Sequence, residues 1–461
     1  MPLRMSERRT LLGLVDALML GAAVVIALWL WTLRGDMAFS LGFLVEEAQW
    51  FLVLGGLWTL TAVLDNFYRP EITASFTATA FSLLRINATM VVIYVLIYFF
   101  SSPTSVNRVV VLFFGALSLV LIGSWRAVYT LALHGAFFEQ RVLILGAGMS
   151  GQVIAHTIHD NLDKAYRVVG FVDDAAPVGD LVGGTPVLGP SANLVRLAQQ
   201  YGVAEIVLAQ PDLSSAAVFQ ALMDCQEQGL RITPMALLYE NITSRVPVEH
   251  VGDQWYIALP LDHQGHSKFY TGVKRVFDLL GALVGLCLYG PLLPFLALAI
   301  RLDSPGPVFY RQKRVGQGGR VFDVYKLRTM VENAEPDQPV WAALDDPRVT
   351  RVGRFLRKTR LDELPQLLNI LLGDMSFVGP RPERPEMVAD LEGKIPFYRA
   401  RHAVRPGATG WAFVNNGYAR SVEETLLKLQ YDLYYIKHQS PLLDLLIILK
   451  SIGLVLTMRG A

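Results

Sequence analysis

Asp362 and Glu363 are adjacent carboxylates that follow Arg360 in a basic stretch, close behind a proline-broken apolar run. An ionised aspartate near a metal can attack phosphorus or hold the metal, and Mg²⁺ prefers one or two carboxylates plus phosphate oxygens. Thr359 and Asp362 have the spacing of a capping box, which predicts both carboxylates in the first turn of a helix. The helix dipole and the flanking arginines should keep both ionised. Helix capping alone is the structural alternative to phosphoryl chemistry.

Basic residues recur at three-residue spacing just before this pair. They are Arg348, Arg351, Arg354, Arg357, Lys358 and Arg360. On a helix this spacing makes a basic stripe. Such a stripe binds anionic lipid, at about 1 kcal/mol per residue near a membrane surface, or clamps a diphosphate and a lipid phosphate. Both roles are compatible.

The composition indicates a membrane protein of several domains. Of the 461 residues, 52% are hydrophobic and only 18% are charged, whereas soluble proteins carry about 25% charged residues. A chain of this length predicts two to four domains. The net charge of +1 gives no reason to expect nucleic acid as a partner, so any electrostatic function must come from local clusters.

Four apolar stretches fill the first third of the chain, and each approaches the roughly 20 residues that span a bilayer. They cover about 11–33, 44–64, 81–100 and 109–129. Basic residues lie before the first stretch, around the connection of the second and third, and around the end of the fourth: Arg4, Arg8, Arg9, Arg69, Arg85, Arg126 and Arg141. The residues around the first connection are acidic instead: Asp36, Glu46 and Glu47. The pattern predicts a four-helix transmembrane bundle with both ends in the cytoplasm. A buried soluble bundle is the alternative, but such stretches have no polar face for water.

A glycine-rich turn follows this bundle. Residues 142–145 are a short apolar strand, Gly146, Gly148 and Gly151 form a G-x-G-x-x-G pattern, and residues 152–160 have the pattern of a helix. Such glycines let the backbone turn tightly and bring a helix N-terminus up to a phosphate. The turn therefore predicts a nucleotide or nucleotide-sugar site. Glycines that serve only packing are the alternative.

A second strand, at about 167–172, ends in Asp173, at the distance where an acidic residue would meet a ribose. Further helices and strands alternate after it, at about 191–201, 204–208, 214–228 and 230–234. This alternation predicts a Rossmann-like, doubly wound α/β domain over about 140–250.

A long apolar run at about 279–300 is interrupted by Gly290, Pro291 and Pro294. It is long enough to span a bilayer, but basic residues bracket it on both sides, and a simple span would push one set across the membrane. Proline removes a backbone donor and clashes with the preceding turn, so a bend is expected near Pro291. A re-entrant helical hairpin over about 272–301 reconciles length, charge and proline.

Six motifs follow one another in the second half of the chain. They are Lys274-Arg275-x-x-Asp278, Ser304-Pro305-Gly306-Pro307-Val308, Lys326-x-Arg328-Thr329-Met330, Leu361-Asp362-Glu363-Leu364-Pro365-Gln366, Gly379-Pro380-Arg381-Pro382 and Pro406-Gly407-x-Thr409-Gly410-Trp411. In this order they resemble the motifs of the bacterial sugar transferase family, the polyprenyl-phosphate hexose-1-phosphate transferases or monotopic phosphoglycosyl transferases. The four spans and the Rossmann-like domain are similar to the large members of that family, such as undecaprenyl-phosphate glucose or galactose phosphotransferases. The resemblance implies a bundle at 1–135, a Rossmann-like domain at 136–255 and a mainly α catalytic domain at 256–461.

This resemblance implies transfer of a hexose 1-phosphate, glucose or galactose by preference, from a UDP-hexose to undecaprenyl phosphate with release of UMP. The reaction would initiate exopolysaccharide, capsule or O-antigen synthesis. Asp362 would be the nucleophile that forms a phospho-sugar enzyme, and Glu363 would be its partner, with Mg²⁺ near both. Covalent catalysis splits one displacement at phosphorus into two.

The same resemblance implies substrate contacts for other charged residues. Arg381 would contact the nucleotide or its phosphates, Lys326, Arg328 and Arg360 would balance charge on phosphoryl oxygens, and Asp432 would help to shape the site. It also implies a multi-pass protein of the bacterial inner membrane with its catalytic domain on the cytoplasmic face. A homodimer is compatible with a bundle of this size.

Three other functions compete with this interpretation. A membrane-anchored nucleotide-sugar dehydratase needs a Tyr-x-x-x-Lys pair downstream of the glycine-rich turn, and the α/β region has no convincing one. A nucleotide-sugar-sensing scaffold that regulates polysaccharide assembly would bind ligand without turnover and tolerate loss of Asp362. A processive glycosyltransferase would release UDP, not UMP.

Overall fold

The computed structural model describes residues 5–34, 38–68, 70–73, 75–99, 108–133, 140–162, 166–209, 215–250, 268–331, 346–417 and 421–456. Contacts divide the chain into two compact units, Met1–Leu238 and Tyr239–Ala461. Some sequence predictions lie outside the described residues. They are the charges of Arg4, Asp36 and Arg69 and the domain boundaries near 135 and 255.

The first unit begins with apolar helices. They are α1 (Met5–Thr32), α2 (Leu41–Glu46), α3 (Gly56–Leu64), α4 (Pro70–Thr73), α5 (Phe76–Phe99) and α6 (Arg108–Val128). Three segments are long and apolar enough to cross a membrane, Thr10–Thr32, Phe76–Tyr94 and Val109–Leu131, and they coincide with three of the predicted spans. Helix α6 packs against both α1 and α5. Asp16 and Arg126 form a buried ion pair at 2.6 Å between α1 and α6, so each charge has a partner inside the apolar bundle.

The second predicted span is shorter than the sequence suggested. Helix α2 ends at Glu46, and the next apolar helical stretch, which opens with a π-helical turn, is Phe51–Leu64. The interruption falls at Glu47, whose carboxylate accepts a hydrogen bond from Trp50 Nε1 at 2.8 Å. Two acidic residues are expensive to place in hydrocarbon, so the pair shortens the helix that the apolar residues alone predict.

A six-stranded sheet completes the first unit. Its strands are β1 (Gln140–Leu145), β2 (Tyr166–Val172), β3 (Leu181–Val182), β4 (Thr185–Gly189), β5 (Glu205–Leu208) and β6 (Arg231–Pro234). Their order is β3-β4-β2-β1-β5-β6, and only β3 is antiparallel to its neighbour. The connecting helices are α7 (Met149–Leu162), α8 (Leu194–Tyr201) and α9 (Ala216–Glu227), and α10 (Met235–Thr243) follows β6. Parallel strands lie on both sides of β1, and residues 142–145 of β1 are fully buried, so the predicted α/β domain is present.

The second unit begins with the broken apolar segment. Helix α11 (Lys268–Tyr289) is followed by a 3₁₀ turn, Gly290–Leu292, and then by α12 (Leu293–Asp303). The predicted bend thus coincides with a break in α-helical hydrogen bonding at Pro291. The whole segment Phe269–Asp303 is long and apolar enough to cross a membrane. Its return to the starting side stays a prediction.

Short elements surround the carboxylate pair in the rest of this unit. Strands β7 (Phe309–Val315) and β8 (Val321–Leu327) form an antiparallel hairpin, and β9 (Ser376–Val378) pairs in parallel with β10 (Gly407–Thr409). The helices are α13 (Arg351–Thr359), α14 (Gln366–Leu372), α15 (Pro385–Lys394), α16 (Trp411–Asn416), α17 (Val422–Lys437) and α18 (Pro441–Leu456). Buried Ala282, Val324 and Leu367 join α11, β8 and α14 in one core.

Candidate active site

The carboxylate pair lies in a short turn between two helices. Helix α13 is ended by Arg360, which adopts a left-handed conformation with φ of 60°. Asp362 and Glu363 follow in a 3₁₀ turn, and α14 begins only at Gln366. The prediction of a capping box is wrong. The Thr359 hydroxyl donates to the Phe355 carbonyl at 2.9 Å, back into its own helix, as helical threonines often do.

Three cations surround Glu363. One carboxylate oxygen accepts from Lys326 Nζ and from an Arg381 Nη, both at 2.9 Å, and the other accepts from an Arg360 Nη at 3.3 Å. Burial alone would raise the pKa of Glu363, but Arg381, Lys326 and Arg360 hold it well below its usual range. Glu363 is therefore ionised, as predicted, and it organises three of the cations assigned to phosphate oxygens.

Asp362 has the opposite environment. Its residue is only 8% exposed, and its Oδ1 has no hydrogen-bond partner within the described part of the chain. Burial, and then the negative charge of Glu363, raise the pKa of Asp362 to about 6, against the pull of Lys326 and Arg360. The flanking arginines lower the pKa of Asp362, but desolvation raises it by more. At neutral pH the carboxylate is mostly ionised and has an unused acceptor.

The carboxylates also bear on the predicted Mg²⁺. No group of three or more potential metal-ligating side chains occurs among the described residues. Both oxygens of Glu363 are bonded to cations, whereas Asp362 Oδ1 is open. Mg²⁺ often takes one or two carboxylates and completes its shell with water and substrate phosphates. The residues fit that mode through Asp362, and Glu363 would have to exchange a cation to take part.

Two loops that meet backbone to backbone position Arg381. A Cβ atom on Gly407 would lie 2.1 Å from the Gly379 nitrogen, and one on Gly410 would lie 2.3 Å from the Gly379 carbonyl oxygen. Glycine is required at these contacts because any side chain would force the loops apart. The motifs around Gly379 and Gly407 thus hold the chain of Arg381 beside Glu363.

A buried ion pair between Arg401 and Asp432 holds the backbone of Arg381 in place. Arg401 donates to the Asp432 carboxylate at 2.8 Å and to the Arg381 carbonyl at 2.9 Å. Burial raises the pKa of Asp432, although Arg401 and Lys428 oppose this shift. Asp432, predicted to shape the site, therefore acts on Arg381 through Arg401. Sequence reasoning missed Arg401, which stands in no motif.

Glu383 is a second carboxylate that sequence reasoning missed. It accepts from Lys428 Nζ at 2.6 Å and lies 3.5 Å from an Arg314 Nη. Burial would raise its pKa, but Lys428, Arg401 and Arg314 lower it to about 2. Its position two residues after Arg381, directly behind the Gly379-Pro380-Arg381-Pro382 motif, was the available signal.

A small cleft opens beside Arg381. Small residues line much of it, and Lys428 and Asp432 contribute charge. The lining residues are Arg381, Ala408, Thr409, Gly410, Ala412, Phe413, Gly417, Lys428 and Asp432. The Arg360 guanidinium lies 5.1 Å from the centre of the Phe413 ring, so this wall of the cleft also contacts the carboxylate turn.

Arg328 is placed differently from the other predicted phosphate ligands. Its guanidinium donates to the carbonyls of Ser304, at 2.7 Å, and Pro305. These carbonyls follow α12, so Arg328 fixes the exit of the apolar segment. Its predicted contact with a phosphoryl oxygen stays a prediction.

The glycine-rich turn of the first unit is internally bonded. Gly146 has φ of 107°, and a Cβ on Gly151 would lie 2.0 Å from the Gly146 carbonyl oxygen, whereas one on Gly148 would meet nothing within 4 Å. The Asp173 carboxylate accepts from the backbone of Ala147 at 2.7 Å. It also accepts hydrogen bonds from the backbone N–H groups of Ala175 and Ala176. Burial would raise the pKa of Asp173, but these three backbone donors hold it below its usual range. Two of the glycines are needed for the fold, and only Gly148 is free of that need.

The second unit is similar to a known protein family. The pattern that defines the bacterial sugar transferase family matches residues 269–458. The UDP-glucose:undecaprenyl-phosphate glucose-1-phosphate transferase of Xanthomonas campestris pv. campestris is 32% identical over 328 residues, which cover 70% of this chain and 68% of the relative. The chain belongs to the bacterial sugar transferase family.

Other relatives of the chain differ in the sugar that they are named for. A UDP-glucose:undecaprenyl-phosphate glucose-1-phosphate transferase of Caulobacter vibrioides is 45% identical over 190 residues, 41% of this chain and 71% of the relative. A UDP-N-acetylgalactosamine-undecaprenyl-phosphate N-acetylgalactosaminephosphotransferase of Aeromonas hydrophila is 46% identical over 241 residues, 52% of this chain. The matched region spans 56% of that relative's length.

The first unit of the chain matches a second family. The pattern of the CoA-binding domain covers residues 64–236, from the end of α3, through the rest of the bundle and the sheet, to the start of α10. This match agrees with the observed α/β architecture. Family membership and the apolar helices together make the protein membrane-bound.

Proposed function

We propose that this sugar transferase moves a hexose 1-phosphate from a UDP-hexose to undecaprenyl phosphate and releases UMP. One observation carries the proposal: a buried carboxylate oxygen, Asp362 Oδ1, has no partner in the described chain and stands beside Glu363 and its three cations. An unsatisfied acceptor is expensive to bury, so its retention is best explained by a group that it binds during function. An electrophilic phosphorus with anionic oxygens matches both the acceptor and the cations.

The reaction would take two displacements at phosphorus. In the first, Asp362 Oδ1 forms a bond to the β-phosphorus, the bond from that phosphorus to the bridging oxygen breaks, and the electron pair leaves with UMP. In the second, an oxygen of the lipid phosphate attacks the same phosphorus, and the Asp362 carboxylate leaves with its electron pair. No proton transfer is needed, because nucleophile and leaving group are both oxyanions.

The cations around Glu363 would stabilise the phosphoryl oxygens in both steps. Lys326, Arg360 and Arg381 are held at Glu363 in the resting site. A phosphoryl group that enters would share these donors, so the charge that develops meets groups already oriented. Mg²⁺ held at the carboxylate pair would supply further neutralisation of the diphosphate. Arg401, paired with Asp432, would position Arg381.

The membrane placement follows from the lipid acceptor. We assign α11 and α12 to a re-entrant hairpin because both ends of the segment bind the same catalytic unit. Arg275, near the start, donates to the carbonyl of Ile370 at 2.6 Å, and Arg328 holds the carbonyl of Ser304 at the exit. The hairpin would hold the site at the level of the lipid phosphate on the cytoplasmic face of the inner membrane. The product would start an exopolysaccharide, a capsule or an O-antigen.

The sugar is proposed from the relatives and the sequence together. Of the relatives described above, two are named for glucose, at 32% and 45% identity, and one for N-acetylgalactosamine, at 46% identity. Glucose and galactose stay the predicted sugars, and N-acetylgalactosamine joins them as a candidate. In the first unit, the open position at Gly148 supports nucleotide binding by the glycine-rich turn, where an anion would compete with Asp173 for the Ala147 amide.

Nucleotide release by the purified full-length protein tests the function. The assay contains Mg²⁺, undecaprenyl phosphate and, in turn, UDP-glucose, UDP-galactose and UDP-N-acetylgalactosamine, and it separates UMP from UDP. We expect UMP that depends on the lipid, with one sugar preferred. Release of UDP would indicate a glycosyltransferase, and no release from any donor would favour the sensing scaffold.

A further inference from the structure

Tyr289 places an unsatisfied hydroxyl deep in the second unit. It is the last residue of α11 and only 5% exposed, and its hydroxyl has no hydrogen-bond partner among the residues that the structure describes. Apart from Cys287, every other side chain at 279–300 is apolar. Burying a hydroxyl without a hydrogen-bond partner lowers the stability of the folded protein. A phenylalanine would fill the same space without this penalty.

The packing of α11 directs Tyr289 toward the carboxylate turn. Residues four apart on a helix share one face. On this face, a Cβ on Gly281 would lie 2.7 Å from the Phe377 ring, and one on Gly285 would lie 2.9 Å from Leu367. Tyr289 comes one turn later, where α11 faces the residues before Leu367. The Asp362 carboxylate is near enough for its charge to act on the Tyr289 hydroxyl.

The two buried groups are complementary to a single ligand. The Tyr289 hydroxyl can donate a hydrogen bond, and Asp362 Oδ1 has lone pairs that can attack an electrophile. The two groups are not bonded to each other. A phosphoryl group supplies both, with a phosphorus for the carboxylate oxygen and a non-bridging oxygen for the hydroxyl. Lys326, Arg360 and Arg381 all lie outside α11, so the Tyr289 hydroxyl would add a donor from another element of the fold.

We propose that Tyr289 is a further catalytic residue, whose hydroxyl donates a hydrogen bond to a non-bridging oxygen of the phosphoryl group that reacts at Asp362. The inference rests on the proposed function. Tyr289 keeps its proton throughout: Asp362 Oδ1 bonds to the β-phosphorus, UMP leaves with the electron pair of the broken bond, and the hydrogen bond shortens as charge grows on the phosphoryl oxygen. The same donor serves the second displacement.

The test compares Tyr289→Phe with wild-type in the full-length protein. With the UDP-sugar that supports UMP release in the wild-type, we measure the single-turnover burst of UMP and the phospho-sugar bound to protein before lipid is added. Loss of one donor to a developing oxyanion predicts a burst about 10- to 100-fold slower. Because the hydroxyl has no partner to lose, the unfolding midpoint should stay the same or rise.

Tyr270→Phe is the matched control. Tyr270 is on the same helix, but its hydroxyl donates to Asp444 at 2.8 Å. We expect this variant to lower the unfolding midpoint and leave the burst rate of the folded protein within about twofold of wild-type, since its hydrogen bond is structural.

The possible results distinguish the role of Tyr289 from the proposed function. A Tyr289→Phe burst equal to wild-type overturns the inference and leaves the proposed function standing. A slower burst together with an unfolding midpoint as low as that of Tyr270→Phe would show that the hydroxyl is structural and also overturn the inference. Absence of UMP release in the wild-type removes both the proposed function and the role of Tyr289.

Discussion

The glycine-rich turn of the first unit and the carboxylate turn of the second both have the residues of a phosphate site, but they use their hydrogen bonds differently. In the first, the Ala147 amide is already bonded to Asp173. In the second, Asp362 Oδ1 is buried without a partner in the described chain, and Glu363 keeps three cations beside it. A ligand at the first turn must exchange an existing bond, whereas a ligand at the second satisfies a group that folding left unsatisfied. The second turn is therefore the stronger candidate for chemistry.

Asp362→Asn tests the chemical half of this comparison and should have the largest effect. An amide cannot attack phosphorus, so we expect UMP release to fall by at least about 10³-fold and the phospho-sugar adduct to disappear. Asp374→Asn, an exposed carboxylate nearby, should keep full activity. Full activity in Asp362→Asn would remove the distinction between the two turns.

Glu363→Gln should reduce turnover by about 10²-fold, because Lys326, Arg360 and Arg381 lose the charge that orients them. The charge of Glu363 also raises the pKa of Asp362. Its removal should therefore move the acid limb of the pH–rate profile to lower pH. The measurement is kcat from pH 5 to 8, with exposed Glu386→Gln as the control, and an unmoved acid limb would contradict the coupling.

The stability of Asp362→Asn sharpens the comparison further. The pKa of Asp362 is about 6 in the folded protein and about 3.9 when unfolded. Between these values the folded state holds more protons, so wild-type stability falls as pH rises through this window. In EDTA, the variant should be more stable than wild-type by about 2 to 3 kcal/mol above pH 6 and show little gain near pH 4. A gain that does not vary with pH would mean that desolvation of the charge is not the cause.

Asp173→Ala should have the smallest effect, and with opposite sign. Its carboxylate caps three backbone donors, and its pKa is lowered in the folded state. Its contribution to stability is present above about pH 4 and is lost as pH falls through the folded pKa. We expect the variant to be less stable by about 1 kcal/mol at pH 7, with UMP release within twofold of wild-type. A large loss of UMP release would mean that the first turn takes part in the reaction.

The sequence predicted most of the architecture from periodicity. The strands at 142–145 and 204–208 were found because parallel strands buried on both faces are continuous apolar runs. The break at Pro291 was found because proline cannot continue the hydrogen bonding of a helix. The second apolar span was overestimated, since a count of apolar residues does not register the bond between Glu47 and Trp50.

The site was less predictable than the fold. Asp362 and Glu363 were noted as adjacent carboxylates, and the family resemblance assigned their roles. The capping box predicted for them was wrong because the Thr359 hydroxyl bonds back into α13. Arg401 could not be found from sequence, since its contact with the Arg381 carbonyl depends on tertiary packing between distant segments. Tyr289 escaped notice for a related reason, because an aromatic residue in an apolar run is ordinarily a packing residue.

The shortened apolar helix Phe51–Leu64 has a consequence for the surrounding lipid. At 1.5 Å per residue it covers about 21 Å, whereas the hydrocarbon core of a bilayer is about 30 Å thick. A bundle with one short member creates hydrophobic mismatch, which lipids relieve by thinning the bilayer locally. The proposed activity should therefore depend on acyl-chain length, with short-chain lipids relaxing the bundle and long-chain lipids straining it.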